Sequence, residues 1–238
     1  MRTQFSFLLF FLAVSFSRGQ NILTSAEKKA GWQLLFNGKN TAGWHTYGGK
    51  GVGAAWQVEQ GALHLNVPNR IGNKAENGGD LVTDVVFTGD FEFKADWKVG
   101  RLTNSGIFFF VQETPANKNI YDTGLEMQVL DNTIYEGADE NKHRAGDFFS
   151  VANARVREVN PVGEWNQVSF AKKNGRMTVS LNGFTIHEFD LNGAEWKQRL
   201  AGSKLKDAPI ASGNYTGRIG LQDWGSTVWF RNVKIRKL

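Results

Sequence analysis

The segment Phe91-Glu92-Phe93-Lys94-Ala95-Asp96-Trp97-Lys98-Val99 places an apolar residue at every odd position and a charged one at every even position. Side chains alternate across a strand with period two. This run therefore reads as a β-strand with one face on a core and the other in water, and its pattern does not fit a helix. The period recurs where Met177, Val179 and Leu181 alternate with Thr178, Ser180 and Asn182. Asn182-Gly183 then supplies a tight hairpin turn into a strand over 184–189. Further strands are predicted at 56–60, 62–66, 80–83, 105–112, 125–130, 165–171, 217–222 and 227–236. Short helices are predicted at 25–30, stopped by Gly31, and at 194–200. The balance of 27 glycines against 4 prolines, with 8 Trp and 18 Phe, suits many turns between aromatic-rich strands. About a dozen strands at this spacing predict an all-β sandwich of two antiparallel sheets. No linker, repeat or composition break divides residues 20–238, which are read as one domain.

Residues 1–19 read differently. Arg2 precedes an apolar run from Phe5 to Phe16, followed by Ser17-Arg18-Gly19. A basic start, an apolar stretch of roughly a dozen residues and small residues near a cleavage point describe a secretory signal peptide. The run falls short of the about 20 residues needed to span a bilayer. An exported protein, periplasmic or extracellular, is expected, with no membrane span. Cleavage would remove Arg2 and Arg18 and bring the formal net charge from +5 to about +3. The basic residues cluster only mildly, at 204–206 and 231–237, so no nucleic-acid partner is expected. The absence of cysteine excludes disulfides, a thiol nucleophile and thiolate-bound zinc.

Three strands carry unusual residues on the face turned from the inter-sheet core. Over 125–130, Met127 and Val129 point inward and Glu126 and Gln128 outward. Over 105–112, Ile107, Phe109 and Val111 are assigned to the core, leaving Gly106, Phe108, Phe110 and Gln112 on the opposite face. Over 217–222, Ile219 and Leu221 point inward, and Gly220 and Gln222 share the outer face. Glycines leave space, aromatic rings offer flat apolar surface, and carboxylate and amides supply hydrogen bonds. A sugar ring, with apolar faces and a polar rim, matches that mixture. Glu126 sits among Met127, Val129 and Leu130, so partial desolvation would raise its pKa and suit it to act as a base. Trp224 adds a stacking surface, and Asp131 and the loop residue His143 border the same region. His64 and His187 are assigned to exposed strand positions. No cofactor is expected. Asp131, Asp139, Glu140 and Asp147 could ligate a divalent cation, but they lack the spacing of a known loop and are read as solvated.

Several stretches in order carry a resemblance. They include Gly31-Trp32, Leu35-Phe36-Asn37-Gly38-Lys39, Gly79-Asp80-Leu81-Val82-Thr83 and Asn104-Ser105-Gly106-Ile107. Glu126-Met127-Gln128-Val129-Leu130-Asp131, Gly163-Glu164-Trp165-Asn166, Gly220-Leu221-Gln222-Asp223 and Phe230-Arg231-Asn232-Val233 follow. Together they resemble the 3-keto-disaccharide hydrolase family over residues 31–238. The resemblance implies a concanavalin-like jelly roll and cleavage of glycosides oxidised to a ketone at sugar carbon 3. It places Glu126 and Gln128 on its concave strand, with Gln222 and Arg231 on neighbouring strands. A ketone at carbon 3 acidifies the proton on carbon 2, so such chemistry needs one base and one stabiliser of the enolate, for which Glu126 and Arg231 or a bound metal are expected. Many members carry His after the Gln-Asp pair, where this chain has Trp224. The spacing Glu126-x-Gln128-x-x-Asp131 is also similar to the carboxylate triplet of laminarinase-like retaining hydrolases, with an amide in the middle. A non-catalytic carbohydrate-binding protein and a laminarinase-like hydrolase are the alternatives.

Overall fold

The structure is a computed structural model that describes residues 20–135, 143–155 and 158–238. The predicted leader, 1–19, and the loop carboxylates Asp139 and Glu140 lie outside the described residues. In chain order the elements begin with α1 (Ser25–Lys29), β1 (Gln33–Leu34), β2 (Trp44–Thr46), β3 (Trp56–Glu59), β4 (Ala62–Leu65), β5 (Arg70–Ile71), β6 (Lys74–Ala75) and β7 (Leu81–Thr83). They continue with β8 (Phe91–Val99), β9 (Asn104–Val111), β10 (Leu125–Leu130), β11 (Asn166–Lys173), β12 (Arg176–Leu181) and β13 (Phe184–Asp190). Helix α2 (Ala194–Ala201), β14 (Arg218–Leu221) and β15 (Val228–Lys237) complete the order.

Two antiparallel sheets form a jelly-roll sandwich. An eight-stranded sheet runs β13-β12-β11-β8-β15-β4-β3, with β1 added beside β15, and a five-stranded sheet runs β10-β9-β14-β7-β2. The core face of β8 is realised as expected, with Phe91, Phe93, Ala95, Trp97 and Val99 buried between the sheets; on the other face Asp96, expected in water, is buried against Arg231 and Asn232. Phe109 and Phe170 stack across the interface with ring centroids 3.8 Å apart, and Phe93 meets Phe109 edge-on at 5.5 Å. Each such ring, fully buried, contributes about 2–3 kcal/mol of transfer free energy. The β12–β13 hairpin closes over Asn182 (φ 49°) and Gly183 (φ 86°), the two left-handed positions of a type I′ turn.

Two β-bulges overturn the alternation read from sequence. Between β9 and β14 the register shifts, with Arg218 opposite Val111 and Gly220 opposite Phe108. Phe110 adopts a left-handed φ of 63°. The bulge turns Phe110 into the inter-sheet core, against Phe91, Phe170 and Tyr215, and sends Val111 outward. Gly217 sits behind it because a Cβ there would lie 2.4 Å from the Phe110 carbonyl carbon. A second shift, between Val179 and Ser180, buries both Ile186 and His187 on β13. His187, expected in solvent, instead stacks on Phe148 at 4.2 Å, and its Nε2 bonds to the Gly146 carbonyl at 2.8 Å. Burial pulls its pKa down to about 4. His64 is also buried, stacked on Trp229 at 4.5 Å.

Candidate functional site

The outer face of the five-stranded sheet is partly roofed. A 3-10 turn, Ile120–Asp122, lays Ile120 over Phe108 and Val82. Gly220 permits this approach, because a Cβ there would stand 2.6 Å from Ile120 Cδ1. On the other side of β10, residues 146–149 pair along its edge. Gly146 N–H donates to the Gln128 carbonyl at 2.8 Å, Gln128 N–H to the Asp147 carbonyl at 2.9 Å, and Phe149 N–H to the Glu126 carbonyl at 3.0 Å. Between roof and edge a hollow of about 380 Å³ opens over β10 and β14.

Glu126 and Gln128 of β10 and Gln222 after β14 line this hollow. Only 5% of Glu126 is exposed. Its Oε1 accepts from Gln128 Nε2 at 2.7 Å, and the Gln222 amide also bonds to it. Its side chain leans over Gly106, where a Cβ would stand 2.6 Å from Oε1. Among the described residues no cation forms an ion pair with Glu126. Burial, and secondarily the negative charge of Asp80, push its pKa up to about 8, against the opposing pull of the two amides and Lys74. The Gln222 Oε1 is buried and has no hydrogen-bond partner among the described residues.

Aromatic walls surround the carboxyl. Trp224 and Tyr121 face each other edge-on at 6.4 Å, and Phe149 lies 4.9 Å from His143, all lining the hollow. Beneath this wall Asp80 accepts from Asp223 N–H at 2.9 Å and from Lys74 Nζ at 2.6 Å. Asp223 in turn accepts from the backbone N–H groups of Ala75, Gly79 and Gly225, which fixes the loop that presents Trp224.

Glu126, Gln128, Gln222, Trp224 and His143 thus meet at one hollow, as the sequence reading expected. Five other assignments are corrected. Phe108 is fully buried under Ile120 and offers no surface to a ligand. Phe110 is in the inter-sheet core. Gln112 lies beyond the hollow, its side chain donating to the Thr216 carbonyl and its carbonyl accepting from Asn117. Asp131 staples its own loop, taking Leu102 N–H at 2.8 Å and Thr133 N–H and Oγ1 at 3.0 and 2.8 Å; it is buried rather than solvated. Arg231 lies on β15 of the opposite sheet, paired with Asp96 at 3.2 Å and stacked on Trp165 at 3.9 Å. Asp147 is likewise buried, accepting from Arg144 and Ala154 N–H groups. Among the described residues no group of three or more His, Asp or Glu has metal-holding geometry.

Asn104, Tyr121, Asp122, Phe149 and Lys204 also line the hollow and were not singled out from sequence. Asn104 opens β9; the others come from the roof, the β10 edge and the segment after α2, none of which shows a periodic signal.

The sequence pattern described as the 3-keto-alpha-glucoside-1,2-lyase-like domain matches residues 31–236. A 3-keto-disaccharide hydrolase of Bacteroides thetaiotaomicron is 31% identical over 258 residues, covering 95% of this chain and 87% of that protein. A candidate glycosyl hydrolase of Parabacteroides distasonis ATCC 8503, known by crystal structure, superposes with a TM-score of 0.80 at 35% identity. That match covers 92% of this chain and 100% of the other. The fold alone is shared with a non-specific endo-beta-1,3(4)-glucanase, at a TM-score of 0.50 and 12% identity over 88% of this chain and 92% of that one.

Proposed function

This chain belongs to the 3-keto-alpha-glucoside-1,2-lyase-like domain family, and on that premise we propose that it is a carbohydrate-active enzyme that cleaves 3-keto-glycosides. The observation that carries the reading is Glu126: a carboxyl buried at the floor of a sugar-sized hollow, held by two amides, with its pKa raised to about 8. A carbonyl at sugar carbon 3 acidifies the proton on carbon 2. Glu126 removes that proton, and the C2–H electron pair forms the C2–C3 double bond while the carbonyl electrons move onto oxygen as an enolate. The enolate then re-forms the ketone, a C1–C2 double bond forms, and the C1–O bond to the leaving sugar breaks. The departing oxygen takes back the proton, and water adds across the C1–C2 double bond to complete net hydrolysis. Such a sequence needs one base and one stabiliser of the enolate oxygen.

A buried carboxylate of raised pKa is a stronger base than a solvated one, and water exclusion strengthens it further. Trp224, Tyr121 and Phe149 suit the apolar faces of the sugar ring. The laminarinase-like alternative requires a second carboxyl about 5–5.5 Å away. Asp131, the last acid of the spaced triplet, is engaged in its own loop instead. The aromatic walls also favour a second reading, a carbohydrate-binding protein without chemistry. The leader-like residues 1–19 support action outside the cytoplasm, and no helix among the described residues is long and apolar enough to cross a membrane.

One assay separates these readings. The protein is incubated with a 3-keto disaccharide and, separately, with its parent disaccharide. The expected result is loss of the keto substrate alone, abolished in Glu126→Gln. Retention of both sugars supports a binding protein, and cleavage of the parent supports a conventional glycosidase.

A further inference from the structure

We propose that Lys204 is the cation that stabilises the enolate oxygen at sugar carbon 3, an assignment that rests on the Glu126 reading. The oxygen on carbon 3 lies one carbon from the proton that Glu126 removes, so its stabiliser must stand close to Glu126. Arg231 is on the other sheet, and Lys74 is neutralised by Asp80 at 2.6 Å. Lys204 lines the same hollow as Glu126, and its Nζ stands 4.5 Å from the centroid of the Phe149 ring. Phe149 is the residue whose N–H bonds to the Glu126 carbonyl at 3.0 Å, so the ammonium is held above the immediate cross-edge neighbour of the base.

The position of Lys204 is built from both ends of its backbone. Its N–H donates to Ser150 Oγ at 3.1 Å, which ties it to the same edge segment as Phe149. Its neighbours Ser203 and Leu205 are buried. Ser203 Oγ donates to the Leu200 carbonyl at 2.7 Å and accepts Leu205 N–H at 3.1 Å, which locks the turn after α2. No carboxylate among the described residues forms an ion pair with Lys204. A cation–π contact holds an ammonium without consuming its N–H donors, so they remain available to a developing oxyanion. Lys204 itself is exposed, and a sugar that fills the hollow displaces the water between its ammonium and the atom that gains charge in the reaction.

The test compares wild type, Lys204→Met and Lys204→Arg, each checked for a native melt. Two readouts are taken: cleavage of a 3-keto disaccharide, and exchange of the carbon-2 proton of 3-keto-glucose in D2O followed by NMR. The expected result is a loss of about 100-fold or more in both kcat and exchange rate for Lys204→Met with KM little changed, and partial recovery in Lys204→Arg. Exchange and cleavage by Lys204→Met within about twofold of wild type overturn the assignment while leaving Glu126 in place. A rise in KM alone also overturns it, because it marks binding that is equal in ground and transition states. A wild-type protein that neither exchanges nor cleaves refutes the Glu126 reading itself.

Discussion

Glu126→Gln tests the electrostatics of the hollow without any substrate. The carboxyl shifts from an ordinary value of 4.5 to about 8 on folding, chiefly because burial disfavours its charged form. A folded-state pKa above the unfolded one means that the native state binds the proton more tightly. The native protein is therefore penalised as pH rises through the window between the two values. At about 1.36 kcal/mol per pKa unit, the penalty is under about 1 kcal/mol at pH 5, about 3 kcal/mol at pH 7 and approaches about 5 kcal/mol above pH 8. Glutamine has the same shape and no charge to desolvate. Its amide can accept from Gln128 and donate to Gln222 Oε1, which otherwise has no partner among the described residues. Urea unfolding of both proteins at pH 5, 7 and 9 should show the variant gaining on wild type by about 4 kcal/mol across that range, with unchanged m-values. Parallel stability curves from pH 5 to 9 would mean that Glu126 is not desolvated and would refute the reasoning. The same titration predicts that wild-type activity rises with pH toward about 8, as the base ionises.

Three further outcomes follow from the geometry. Gly106→Ala puts a methyl 2.6 Å from Glu126 Oε1 and 2.8 Å from its Cγ; kcat should fall by about 10- to 100-fold through misplacement of the carboxyl, at a stability cost of about 1–3 kcal/mol, measured by kinetics and melting in parallel. Arg231→Gln should leave kcat and KM within about twofold of wild type, since Asn232 Nδ2 still holds Asp96 at 2.7 Å and the site is on the other sheet; a hundredfold loss would return Arg231 to the catalytic machinery. His187, with its pKa lowered from 6.5 to about 4, contributes stability that is complete above pH 6.5 and lost as pH falls toward 4, by up to about 3 kcal/mol. His187→Phe should flatten that acid limb in urea titrations, and an unchanged limb would show that the imidazole is not buried neutral.

Much of the architecture could be read residue by residue. Strand Leu125–Leu130 was delimited correctly, β8 carried its core face in plain alternation, and Asn182-Gly183 announced its turn. Glu126, Gln128 and Gln222 were placed on one face by the same period. Bulges account for part of the difference between pattern and structure. Phe110 lies in one bulge and His187 follows another, and a single inserted residue moves side chains to the opposite face. A bulge is a property of two paired strands, so neither strand shows it alone. Gln112 was misplaced by the first of these bulges, and Phe108 by Ile120, which comes from a roof with no regular pattern.

By itself the amino-acid order determined which segments are strands, which of their faces are apolar, and that a carboxylate flanked by hydrophobic residues would be offered on one of them. These are local matters, settled by side-chain alternation and by the backbone preferences of a few turn residues. Only the folded structure decided that Arg231 faces away on the second sheet while Lys204, from the segment after α2, stands over Phe149 beside Glu126. A contact such as Lys204 with Phe149, 55 positions apart along the chain, arises from how two sheets and their loops close on a shared core, and no period in the sequence encodes it.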